Sequence, residues 1–253
     1  MSIDLKKNNS LDEIKELIKC LFERFNLNYE NLISMDRVND ALYNIVIVND
    51  KMSNVPTMIK EYFNHGAQGL YFEDKIYVKR NVSIETLFHE ILHFITRKNG
   101  GIKFLLVNTY SDEEFNIQLK KYGESKFARM IEQLDESLTR FITELAIPEI
   151  EISDSYRYGA DILKNYYNSL TNKELDSRFV LNMYLNGSQE DLEKFKNSFG
   201  NKFEVILSSV EVLNNIRYYI LKKPKDPVLK YEEIISEVNN AVDRIDSRKK
   251  EEN

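Results

Sequence analysis

The stretch Thr86-Leu87-Phe88-His89-Glu90-Ile91-Leu92-His93-Phe94-Ile95 constrains this chain more than any other. It contains His-Glu-x-x-His, with uncharged residues in the gaps and on both flanks. In a helix, His89 and His93 lie one turn apart on the same face, where both imidazoles can bind one zinc ion. Glu90 points in a neighbouring direction and can hold a water that the metal activates. The chain has three histidines, and two of them fall at this spacing.

End signals around the stretch support a helix. Ser83 is placed to cap its start, with Val82 and Leu87 spaced for a hydrophobic staple. Asn99-Gly100-Gly101 is a strong stop. Ile84, Phe88, Ile91, Leu92 and Ile95 form the apolar face, with the two histidines on its flank. Upstream, Ser10 caps a helix whose apolar positions run from Leu11 to Phe25 at helical spacing. Tyr43 to Val48 is rich in β-branched residues and reads as a strand. Residues 51–65 read as a loop with a short helix after Pro56. Gly69–Phe72 and Lys75–Lys79 flank Glu73-Asp74 as a hairpin.

Downstream, residues 102–110 are expected as a strand or an ordered loop. Residues 112–122 and 125–146 read as helices, the second ending before Pro148. Leu134, Leu138, Phe141 and Leu145 mark its core face, with Glu132, Glu136, Thr139 and Thr143 on the opposite face. Five helical segments follow, at 156–170, 175–186, 189–199, 202–221 and 229–247, with a Pro-containing break at 222–227. The expected fold class is α+β. A small N-terminal sheet packs on the motif helix, a mostly α-helical part follows, and the active site lies between them. The expected division is 1–101, with the motif helix, and 102–253, the mostly helical part, together forming one unit.

Charge and cysteine content narrow the function classes. The net charge is −6 with 30% charged residues, so a nucleic-acid surface, which needs a clustered basic face, is not expected. The single cysteine, Cys20, allows no intrachain disulfide and fits a reducing compartment. The first residues lack the apolar core of a signal peptide, and no uncharged apolar run approaches a membrane span. The expectation is a cytoplasmic protein with no membrane partner, export without a cleaved signal remaining open.

A catalytic zinc takes three protein ligands and leaves one position for water. A metzincin would have Gly and His where this chain has Thr96 and Asn99, so that class does not fit. His65 lies upstream in a loop and is a weaker third-ligand candidate. The stretch Leu134-Asp135-Glu136-Ser137-Leu138-Thr139-Arg140-Phe141-Ile142-Thr143-Glu144-Leu145 resembles the second-helix motif of gluzincin zinc peptidases, Asn-Glu-x-x-Thr-x-x-x-Thr. The resemblance implies that Glu136 completes the metal ligands beside His89 and His93, with Asp135 and Glu144 as the alternatives. It also implies a Zn2+ cofactor, a peptide or protein substrate and Glu90 as the general base. Gly69 to Phe72 would then serve as an edge strand that pairs with an extended peptide. Asp135 stands where the family has Asn. Arg140 stands where the thermolysin type has an Asp that buttresses a zinc histidine, which leaves that supporting role to no assigned residue; Glu132 is a candidate.

Residues 155–163, 183–187 and 192–200 resemble the helical tail of small bacterial gluzincin-like proteins. In gluzincins a Tyr or His beyond the Glu helix donates to the oxyanion, which points to Tyr156 and then Tyr158 among fifteen tyrosines. Phe141 to Pro148 also resembles the end of the corresponding helix in ImmA/IrrE-type peptidases, cytosolic regulatory proteases that often carry a DNA-binding module; no such module is read here. The reading from a different class is a non-catalytic zinc-binding interaction protein.

Overall fold

A computed structural model describes residues 10–49, 51–64, 66–97, 101–148, 156–171 and 175–211. The side chains of 102–104, 156–158, 162, 166 and 169 are outside that description. The fold is α+β and mostly helical, with one small three-stranded sheet.

Ser10 starts the first helix (α1, Leu11–Asn28) through a full capping box. Its side chain accepts from the Glu13 N–H while the Glu13 carboxylate accepts from the Ser10 N–H. Ile14, Ile18, Leu21, Phe22 and Phe25 bury the predicted face. The buried Asn26 side chain bonds both the N–H and the C=O of Ile33, closing the turn after α1. A further helix, unassigned from the sequence, follows (α2, Met35–Tyr43). Its buried Val38, Ala41 and Leu42 have the spacing of one helical face. The predicted strand therefore starts later, at Ile45, because Tyr43 ends α2 and Asn44 caps it (β1, Ile45–Val48).

The short helix after Pro56 is present (α3, Thr57–Asn64). The hairpin pairs Gly69–Phe72 (β2) with Lys75–Lys79 (β3), with Phe72 opposite Lys75. Its two turn residues, Glu73 and Asp74, have φ of 45° and 58°, the backbone a two-residue type I′ hairpin needs. Strand order is β1-β3-β2, with β1 parallel and β2 antiparallel to β3. Alternation along β3 gives the sheet two faces. Tyr77 joins Val48, Val55, Ile59 and Phe63 in one apolar cluster with α3. Ile76 and Val78, both fully buried, point the other way. The motif helix (α4, Ile84–Arg97) packs against β2 and β3, and Phe88 stacks on Phe22 of α1 with ring centroids 4.3 Å apart.

The expected strand or loop at 102–110 is instead a short helix (α5, Gly101–Val107). A short apolar run does not distinguish strand from buried helix by periodicity. Gly101 enters it with φ +62°, and Leu106 is buried between half-buried Leu105 and Val107. Then come α6 (Asp112–Tyr122), α7 (Glu124–Ala146), α8 (Tyr156–Thr171), α9 (Ser177–Asn186) and α10 (Gln189–Phe199), and residues 203–211 are helical. The expected break at 222–227 and helix at 229–247 lie outside the described residues. No helix among the described residues is long and apolar enough to cross a membrane.

Contacts divide the chain into two compact units whose segments alternate in sequence. The first comprises Met1–Ser111, Leu138–Glu151 and Leu175–Lys194; the second comprises Asp112–Ser137, Ile152–Glu174 and Phe195–Asn253. In the first, Arg24 of α1 donates to the C=O of Ala146 at the end of α7 (2.8 Å), satisfying a terminal carbonyl. In the second, Tyr167, Phe195, Phe199 and Phe203 form an aromatic cluster. There Arg129 also donates to the buried Glu211 carboxylate (3.2 Å).

Candidate metal centre

The start of α4 is built as its sequence predicts. The Ser83 hydroxyl accepts from the Thr86 N–H at 3.1 Å, and Val82 and Leu87 are both buried. The helix ends at Arg97; Asn99 and Gly100 of the expected stop lie outside the described residues. Burial extends beyond the predicted apolar face. Glu90 (9% exposed), His93 (3%) and Thr96 (1%) are buried with the apolar residues, and His89 is half-buried. The motif therefore lies within packed protein, where charge interactions are weakly screened.

The two imidazoles meet through the same atom. His89 Nε2 and His93 Nε2 are 3.0 Å apart, with the rings edge to face at 79°. Glu136 on α7 joins them: one ligand atom from each of His89, His93 and Glu136 lies within 4.8 Å of the others. Three ligands at about 2.0–2.1 Å from a tetrahedral ion stand about 3.3 Å apart. The group thus needs only small side-chain adjustments to hold a metal ion. Two imidazoles and a carboxylate suit zinc and other first-row divalent ions.

Glu136 does not lie on a water-facing stripe. Thr139 and Thr143, expected on that face, are fully buried, and Glu136 is half-buried. The expected core positions Phe141 and Leu145 are only half-buried. Helix α7 is thus covered on more than one side around Leu134–Thr143, and the small threonines occupy a packed face. Thr143 returns its hydroxyl to the Thr139 C=O (2.9 Å), and the Thr139 hydroxyl is hydrogen-bonded to the buried Tyr184 hydroxyl of α9.

Glu90 is held by the sheet. Its Oε2 accepts from the backbone N–H of Tyr71 in β2 at 2.8 Å. Gly69, two residues earlier, has no room for a side chain. A Cβ there would stand 2.9 Å from both Glu90 Cγ and Thr86 Cγ2. The Tyr71 ring is itself fixed, edge to face with Phe94, under the Arg97 guanidinium, with its hydroxyl on Asp74 (3.1 Å). Burial first, and then the Asp74 hydrogen bond, push the Tyr71 hydroxyl above its usual pKa.

The other sequence candidates are placed as follows. Asp135 is buried and Glu132 exposed, and neither is in the three-residue group. Glu144 accepts from Arg140 Nε at 3.0 Å. His65 lies outside the described residues. Tyr156 and Tyr158 are in the first turn of α8, and their side chains are outside the described ones. Three features were not foreseen from sequence: the Tyr71 N–H on Glu90, the Gly69 contact and a bridge from Arg140 to Glu85 (3.0 Å). Only the last had a signal. Glu85 is one turn before His89, and Arg140 one turn after Glu136.

No family model matches the chain, and neither the curated proteins nor the solved structures yield a match. The reading of the site rests on its own residues.

Proposed function

We propose that the chain is a zinc-dependent metallopeptidase of gluzincin type, acting on peptide or protein substrates in the cytoplasm. The observation that carries this reading is the convergence of His89 Nε2, His93 Nε2 and a Glu136 carboxylate oxygen, with the carboxylate of Glu90, the residue after His89, anchored on the adjoining strand. Three protein donors leave one tetrahedral position for water, the arrangement of a catalytic site. When bound, zinc supplies the Lewis acidity that acidifies water and polarises the scissile carbonyl.

The chain's residues perform the proton transfers. Glu90 takes a proton from the attacking water and passes it to the leaving amine. Its hydrogen bond from the Tyr71 N–H restrains one carboxylate oxygen, and burial strengthens its interactions. Tyr156 is the proposed oxyanion donor. An extended peptide pairing with the β2 edge meets a strand whose Tyr71 N–H already serves Glu90. Such a substrate either leaves that hydrogen bond in place or replaces it.

The test is a comparison of wild type with Glu90→Gln. Both should contain about one zinc per chain, a ratio set by a single three-ligand site, and Glu90→Gln should cleave peptides far more slowly than wild type. Equal cleavage by the two proteins would sink the hydrolytic role of Glu90.

A further inference from the structure

Arg140 is a large, fully buried side chain, 1% exposed. It forks between two carboxylates: Nη1 donates to Glu85 at 3.0 Å, and Nε donates to Glu144 at 3.0 Å. Glu85 and Glu144 remain partly exposed, at 21% and 37% of their side chains. Desolvating a guanidinium is costly, and an apolar side chain of similar volume is often as stable or more so. Stability alone therefore does not account for the bridge.

Glu85 is in the first turn of α4, four residues before His89. Arg140 is four residues after Glu136 on α7. Residues four apart share a helix face. The Glu85–Arg140 bond is thus the rung one turn away from the His89–Glu136 rung on the same two helices. Glu144, on α7 itself, orients the guanidinium, and the bond to Glu85 carries that orientation across to α4; a planar guanidinium held this way is more directional than a flexible ammonium.

We propose that Arg140 is a positioning residue for the metal centre. By clamping Glu85 it sets the separation and rotation of α4 against α7, and so the spacing of Glu136 from the two histidines. This rests on the reading of His89, His93 and Glu136 as metal ligands. Arg140 is not itself one of the three candidate ligands.

The experiment measures zinc affinity, by competition with a chelating dye, in wild type, Arg140→Met, Arg140→Lys and Glu85→Ala. The d–d absorption of the cobalt-loaded proteins and the thermal unfolding of the metal-free proteins are recorded beside it. Arg140→Met and Glu85→Ala should each bind zinc about tenfold to a hundredfold more weakly, the range for loss of a group that orients ligands. Their cobalt spectra should change, and Arg140→Lys should fall between them and wild type. The Arg140→Met/Glu85→Ala double variant should lose little more than the weaker-binding single variant, because both remove one bridge. Wild-type affinity and an unchanged cobalt spectrum in Glu85→Ala would overturn the proposal, even if Arg140→Met fails to fold. Failure of wild type to bind zinc at all would instead overturn the metal-centre reading, and the positioning role with it.

Discussion

The backbone N–H of Tyr71 donates to Glu90 Oε2 at 2.8 Å, joining the sheet to the one acidic residue inside the His-x-x-x-His pair. A hydrogen bond to an ionised group contributes about 1.5–3 kcal/mol. A backbone donor also cannot be removed by substituting its own side chain. The carboxylate is therefore oriented by strand position, so its orientation, its proton transfer and metal binding can be varied separately.

Glu90→Gln keeps the size of the side chain and an oxygen acceptor for the Tyr71 N–H. It removes the group that can take a proton. Peptide hydrolysis should fall by about 10²–10⁴-fold, the usual share of general acid–base catalysis. Zinc content, measured by elemental analysis, should be unchanged.

Gly69→Ala places a Cβ 2.9 Å from Glu90 Cγ and Thr86 Cγ2. The strand or the Glu90 side chain must shift. Overpacking of this kind costs about 1–3 kcal/mol, read by chemical denaturation. The expected kinetic signature is a fall in kcat at nearly constant zinc affinity. Wild-type kcat in a folded Gly69→Ala protein would show that Glu90 does not depend on this contact.

His89→Ala, His93→Ala and Glu136→Ala should each weaken zinc binding sharply. Zinc at about a hundred times its dissociation constant should stabilise wild type by about 2.7 kcal/mol, seen as a raised unfolding temperature. That zinc-dependent rise should shrink or vanish in the three variants. An undiminished rise in Glu136→Ala would remove Glu136 from the ligand set.

The Tyr71 hydroxyl has its pKa raised by burial and by Asp74. The folded state therefore holds this proton more tightly than the unfolded chain, whose tyrosines titrate at about 10. The resulting stability is fully present below that pH and is lost as pH rises through the higher folded value. Thermal unfolding followed into the alkaline range should show this loss in wild type. Tyr71→Phe should give a shallower alkaline decline, at the cost of the hydrogen bond to Asp74. An identical alkaline slope in the two proteins would contradict the assignment.

Much of the local structure was legible because it depends on neighbours in sequence. Ser83 and Ser10 cap helices through atoms three residues away. Glu73 and Asp74 turn the hairpin through their own backbone angles. The helix at Met35–Tyr43 has the period in Val38, Ala41 and Leu42, but over a span of nine residues with few apolar positions. The segment Gly101–Val107 was ambiguous in principle, since its apolar run is too short for a period to show. On α7 the apolar stripe suggested one buried face, but packing covers Thr139 and Thr143 as well. A one-dimensional pattern records which side chains are apolar, and neighbours elsewhere in the chain decide how many sides of a helix are covered.

The same division runs through the site. The sequence by itself determined that His89 and His93 converge, because four residues make one turn of helix and the cap and staple start that helix at Ile84. It also determined that Glu90 accompanies them. Only the tertiary structure brought Glu136 to within 4.8 Å of the two histidines, placed Arg140 on Glu85 and set the β2 backbone against Glu90. Those approaches join residues 19 to 55 positions apart. No local period specifies such distances; they follow from how buried helices and strands pack against one another.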